Sequence, residues 1–273
     1  MIPSLTISSP GSKFAPLLFR GDFEECIARA SGIGFKAVEL HIRDPRVVDR
    51  QAILKSLEKT GVVVSTIGTG QAYGEDRIFL TSFDDTVRNA AIRRIKDQID
   101  FAAPLGAKVI IGLIKGPLPE EESKQEAAKV WAASGLRECA EYALKQGTTL
   151  TLEVINRYET NFLNTAEEAD RFLGEVDAEG IGLHLDTFHM NIDEVSIEKS
   201  IRDHGARLVH VHLADSNRWA PGMGHLDFHL ILKKLKEIGY KGYLGLECLP
   251  KPDPERAAIQ GLRYLEELLS KIG

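Results

Sequence analysis

One pattern recurs along the whole chain: an amphipathic stretch, a glycine, then a short β-branched or leucine-rich run. The glycines are Gly34, Gly61, Gly106, Gly147, Gly180, Gly205 and Gly239. The runs that follow include AVELHI, VVVSTIG, KVIIGLI, TLTLEV, IGLHLDT, LVHVHLAD and, after Gly242, YLGLECL. With a first strand near Ser4 to Ser8, the pattern predicts eight strands. A glycine just past a helix end accepts the left-handed conformation that closes the last turn, so these glycines mark helix-to-strand junctions. Alternating strands and helices imply a parallel sheet, because each crossover needs a helix to return the chain. Eight units of roughly 34 residues close into an α/β (β/α)₈ TIM barrel. An open doubly wound sheet is the rival, but it would carry a glycine-rich phosphate turn after its first strand, and none follows Ser8.

The intervening segments read as helices. Between Asp84 and Leu105, Ile92, Ile95 and Ile99 share one face, and between Pro254 and Ile272 so do Leu262, Leu265 and Leu269. Asp84, Thr165 and Ser196 stand where N-caps belong. The acidic run Glu120–Glu122 reads as the solvated start of the fourth helix. No linker or composition shift interrupts the 273 residues, so the expectation is a single barrel domain over 1–273.

Charge and cysteine usage exclude several function classes. A net charge of −6 gives no basic face for nucleic acid or an anionic membrane. Cys26, Cys139 and Cys248 are sparse, odd in number and far apart, which reads as reduced thiols in a cytoplasmic protein. The apolar stretch Val109 to Ile114 is far too short to span a bilayer, and the opening MIPSLTISSPGSKF lacks the order of a signal peptide.

In such barrels the site lies where the strands end and the βα loops begin. The fifth strand ends in Glu153, the sixth in Asp186, the seventh in His212 and the eighth in Glu247. The gaps of 33, 26 and 35 residues are each about one βα unit. Taken singly, each residue has a structural reading: a strand-end carboxylate is usually a cap or ion-pair partner, and a strand histidine a hydrogen-bonded core residue. Together they deliver three carboxylates and an imidazole to one rim, which would repel unless a cation or proton neutralised them. A divalent ion answers that problem, and mostly oxygen donors favour Mn²⁺ or Mg²⁺.

The surrounding motifs are EVINRYET from Glu153, DTFHMNIDE from Asp186 and HLADSNRWAPGMGHLDF from His212. Over about Leu150 to Glu247 the chain resembles the ketose 3-epimerases of the D-tagatose 3-epimerase type, among the xylose isomerase-like sugar isomerases and epimerases. The resemblance implies that Glu153, Asp186, His212 and Glu247 hold one metal ion, commonly Mn²⁺, with Mg²⁺, Co²⁺ or Zn²⁺ as alternatives. It implies that Glu159, His189 and Arg218 touch substrate oxygens near the reacting carbons. It also implies that Glu153 and Glu247 are the paired acid–base groups, one on each face of an enediolate, as epimerisation requires. The partner is then a small sugar, and relatives of this kind are homodimers or homotetramers.

The first 115 residues match that family in general architecture only. After the fourth strand, GLIKGPLP lacks the aromatic residue that often covers the sugar's far end there. Glu39, His41, Gln71, Tyr73 and Lys115 are candidates to line that half of the pocket, with packing or solvated-loop roles equally open. Lys115, Arg218 and Lys251 are cations that could meet a phosphate, but no glycine-rich cradle backs them, which favours an unphosphorylated ketose. Aldose–ketose isomerase, 4-epimerase and pentulose-phosphate epimerase activities stay open on the same site. From other classes come a zinc-dependent abasic-site endonuclease, which needs further histidines at the second and third strand ends where this chain has only His41, and a non-catalytic sugar-binding barrel, which would have lost part of the ligand set.

Overall fold

The computed structural model describes residues 1–13 and 16–272. Phe14, at the end of the opening stretch, and Gly273, the last residue of the expected domain, lie outside them. Eight parallel strands run in chain order: β1 Ile2–Ser8, β2 Ala37–His41, β3 Val63–Gly68, β4 Lys108–Ile111, β5 Leu150–Glu153, β6 Ile181–Asp186, β7 Leu208–His212 and β8 Tyr243–Leu246. Each pairs with the next, and β1 pairs with β8 (Ile2 beside Tyr243, Leu5 beside Leu246), so the sheet closes into a barrel. The expected (β/α)₈ architecture is the observed one. A short parallel strand, Phe19–Arg20, adds to β1 outside the ring.

The helices form where the caps and periodicity place them. Asp84 accepts the Thr86 N–H ahead of the helix Asp85–Ala102, and Ser196 accepts that of Lys199 ahead of Ile197–His204. Thr165 and Glu168 form a reciprocal capping box on Ala166–Val176, an arrangement whose loss typically costs about 0.5–2 kcal/mol. Glu120, Glu121 and Glu122 are exposed, with the helix beginning at Glu122. Along each strand alternate residues face opposite ways. Leu5, Ile7, Val38, Leu40, Val109, Ile111, Leu183, Leu185, Leu244 and Leu246 join the helices in one apolar layer outside the ring.

Five of the seven junction glycines adopt positive φ, as expected, but Gly180 and Gly205 do not. Their reason is proximity. A Cβ at Gly180 would lie 2.2 Å from the Ala140 carbonyl oxygen, and one at Gly205 would lie 2.5 Å from Ile238. The left-handed cap after Ala166–Val176 is made instead by Asp177. Gly180→Ala should therefore destabilise the fold by about 1–3 kcal/mol through overpacking. Gly32→Ala, in the helix Phe23–Ile33 with nothing within 4 Å of the added carbon, should stabilise it by about 0.5–1 kcal/mol. Urea midpoints of opposite sign for the two variants are the check.

Candidate active site

The polar residues of the barrel interior follow a spacing of two. Glu39 and His41 on β2, His184 and Asp186 on β6, and His210 and His212 on β7 are all buried. Glu247, one residue past β8, joins them, as does Glu153 at the end of β5. The interior that usually holds branched apolar side chains here holds carboxylates and imidazoles near its C-terminal mouth.

Glu153, Asp186, His212 and Glu247 come together as the spacing predicts, each offering one ligand atom, all within 4.8 Å of one another. His212 Nδ1 lies 3.5 Å from Glu153 Oε1 and 3.8 Å from Glu247 Oε2. Local folding fixes each group. Asp186 is the N-cap of the short helix Thr187–Asp193: one carboxylate oxygen accepts the Phe188 N–H at 2.8 Å, which leaves the other free. Glu153 fits because residue 112 is glycine, since a Cβ there would stand 2.5 Å from Glu153 Oε2. His212 Nε2 donates to both oxygens of Glu39 at 3.0 Å, which turns Nδ1 toward the three carboxylates.

Glu39 is the hub beneath this cluster. It also meets His41 Nε2 at 2.7 Å and His210 Nε2 at 3.0 Å, and Thr66 donates to it. Burial raises the Glu39 carboxyl, but His212, His210 and His41 outweigh it and hold it well below the usual range. For His212 burial acts downward, and Glu39, Glu247 and Glu153 overcome it, raising the imidazole well above its ordinary value. Glu247 is pushed up to about 7 by burial and by Glu153, against His212, Arg218 and His41.

The donor set fits a divalent cation. Asp186 Oδ2 and His212 Nδ1 are buried and have no hydrogen-bond partner, a costly state that metal coordination relieves. Three carboxylates and an imidazole at one point, with Nε2 of that imidazole already fixed by Glu39, form a ligand shell with its supporting contact in place.

The three residues expected to touch substrate stand around the cluster. Arg218 has φ +60°, and its guanidinium lies 4.6 Å from the Phe188 ring centroid. It donates to Glu159 Oε1 at 2.7 Å and to Glu247 Oε2 at 3.1 Å. Asp215 shapes the loop that carries it, accepting the backbone N–H groups of Ser216, Gly222 and Leu226. His189 Nε2 is 3.7 Å from Asp186 Oδ2, and its Nδ1 meets Asn156. Arg218, Glu159 and His189, together with Gly112, Leu113 and Ile155, line a narrow cleft over the carboxylate and imidazole cluster.

The five residues left open at the other half divide. His41 lines the cleft, and Glu39 orients His212 from below. Gln71 donates to the His41 carbonyl, and Tyr73 packs edge-on against Phe79. Lys115 is fully buried and donates to the Glu153 and Gly112 carbonyls, at 3.2 and 3.4 Å, and burial pushes its ammonium down to about 8. His184, His210, Asn156 and Asp215 also surround this cluster, and strand-end position does not single them out. The signal for the first two was present in the two-residue spacing HLD and HVH; Asn156 and Asp215 carry no pattern that sets them apart from ordinary turn formers.

Residues 27–268 match the family model described as the xylose isomerase-like TIM barrel. The chain is 33% identical to an L-ribulose 3-epimerase from Methylomonas sp. (strain DH-1), over 85% of this chain and 82% of that protein. It is 34% identical to a ketose 3-epimerase from Arthrobacter globiformis, over 77% and 71% of the two. Among solved structures, a D-allulose 3-epimerase from Methylomonas sp. in complex with D-allulose superposes with a TM-score of 0.81, at 26% identity and 98% coverage of both chains. By the length matched and by these identities, the chain belongs to the xylose isomerase-like TIM barrel family, alongside the ketose 3-epimerases.

Proposed function

We propose that this chain is a divalent-metal-dependent ketose 3-epimerase acting on an unphosphorylated ketose, with Mn²⁺ held by Glu153, Asp186, His212 and Glu247. The observation that carries the reading is the buried meeting of three carboxylates and one imidazole at the barrel mouth, with two ligand atoms unpartnered. A bound divalent ion supplies Lewis-acid polarisation of the ketose carbonyl, which acidifies the neighbouring C–H. The carboxylate of one glutamate, Glu153 or Glu247, takes the proton from carbon 3 as the C–H electron pair enters an enediolate. The other glutamate delivers a proton to the opposite face, and the epimer results. These two residues come from β5 and β8, which are not neighbours in the sheet, and this supports their placement on two sides of the substrate. Arg218 and His189 donate hydrogen bonds to the oxygens where charge develops, and Glu159 holds Arg218 in place.

The state of the cations supports an unphosphorylated substrate. Arg218 is already paired with Glu159 and Glu247, Lys115 is buried against two carbonyls, and Lys251 is exposed. Cys26, Cys139 and Cys248 are all buried and unpaired, which suits a reducing cytoplasm. No helix among the described residues is long and apolar enough to cross a membrane. Residues 1–273 then work as one barrel unit, assembled by family resemblance as a homodimer or homotetramer, which sedimentation measures.

The test is proton exchange. The Mn²⁺-loaded protein is mixed with a panel of ketoses in D₂O and followed by NMR. Deuterium at carbon 3, with the C3 epimer appearing, is expected. Label at carbon 1 or 2 would replace this reading with aldose–ketose isomerisation, label at carbon 4 with 4-epimerisation, and turnover of pentulose phosphates alone with a phosphate-specific epimerase.

A further inference from the structure

Asn156, which the proposed mechanism does not use, lies 1% exposed between two of the substrate-facing groups. Its Oδ1 accepts the Tyr158 N–H at 2.9 Å, an Asx turn that fixes which end of the amide faces inward. The amide nitrogen therefore points into the site. It donates to Glu159 Oε1 at 3.0 Å and lies 2.6 Å from His189 Nδ1. Both amide protons are spoken for, and the amide nitrogen has no lone pair to offer. His189 Nδ1 must then be the acceptor in that contact, so the single proton of the neutral ring sits on Nε2. That is the nitrogen on the side of Asp186 Oδ2, 3.7 Å away, and His189 itself lines the cleft.

We infer that Asn156 is a positioning residue that sets the tautomer of His189, so that the ring presents an N–H rather than a lone pair to the substrate oxygen. The same amide steadies Glu159, which accepts from Arg218 Nη1 at 2.7 Å, so one side chain aligns both donors of the cleft. The role at the substrate rests on the epimerase reading. The tautomer itself does not, because it follows from hydrogen-bond donors and acceptors inside the protein.

The experiment uses protein with ¹⁵N-labelled histidine rings, loaded with diamagnetic Mg²⁺, with His189→Asn identifying the signals. Wild type is expected to show a protonated Nε2 and a bare Nδ1 at residue 189. In Asn156→Asp the outer oxygen still accepts from Tyr158, while the inward oxygen can accept from His189 Nδ1 and repels Glu159 Oε1, so the proton should move to Nδ1. At alkaline pH, where the ring is neutral, kcat on the ketose identified by the exchange assay should fall on the order of 10²–10⁴-fold, the scale of a histidine held in the wrong tautomer. KM should change less than about tenfold. Asn156→Ala keeps neither contact and should lose less kcat than Asn156→Asp, the reverse of the order that a purely structural turn residue would give. A proton found on Nδ1 in wild type, or Asn156→Asp at least as active as Asn156→Ala, overturns the inference. If Asn156→Asp does not fold, the wild-type spectrum still decides. If no ketose is turned over, the epimerase reading fails while the tautomer is still read from the spectrum.

Discussion

Glu153→Gln and Glu247→Gln should each lower epimerisation by on the order of 10³-fold or more while leaving the barrel folded. A positioned acid or base contributes about 10²–10⁴-fold, and glutamine keeps the shape but can neither take nor hold the proton. Both residues sit in the proposed ligand set as well, so each replacement also weakens the ion. The fold should survive because neither side chain anchors the apolar layer between the ring and the helices. Glu247 is raised to about 7 by burial and by Glu153, so a neutral isostere there relieves repulsion rather than creating it. The loss should be asymmetric: residual deuterium exchange in each variant belongs to the epimer whose C3 proton faces the surviving glutamate. Measured by NMR in D₂O, epimerisation within tenfold of wild type in either variant would overturn the two-base assignment.

Removing the divalent ion should abolish turnover and soften the protein at once. Excess Mn²⁺ at about 100 times its Kd adds about 2.7 kcal/mol of stability by mass action. For a chain of this length that is a rise in Tm on the order of 5–10 °C over the chelated protein. Asp186→Asn separates site from fold. Asparagine is as good an N-cap as aspartate, so the Phe188 contact and the helix Thr187–Asp193 should persist. The anionic oxygen at Oδ2 is lost, and with it most of the Mn²⁺-induced shift and the turnover. A full Mn²⁺ shift in Asp186→Asn would move the ion away from this cluster and refute the ligand set.

The barrel was legible in the sequence because its information is local and repeated. Each helix has its own cap and stripe, each strand its own apolar run, and eight such units have one economical way to close. The meeting of the four strand-end residues was legible for the same reason: a spacing of one βα unit places them on adjacent strands at the same height. What spacing does not carry is which groups meet across the barrel. Glu39 on β2 bonds to His210 and His212 on β7, across a sequence separation of more than 170 residues, and only closure of the ring brings them together. Lys115 reads as a candidate pocket residue with packing and loop roles equally open, and it is the tertiary structure that buries it against the Glu153 carbonyl. Gly180 and Gly205 look like turn glycines, yet neighbouring backbone and side chain decide them through hard-core contact. The sequence by itself thus determined the architecture and the identity of the clustered strand-end residues, since both follow from short-range periodicity. The tertiary structure alone decided which atoms are left unpartnered, which way His212 and His189 turn, and which cations are spent, because these depend on distances between strands that the chain order does not encode.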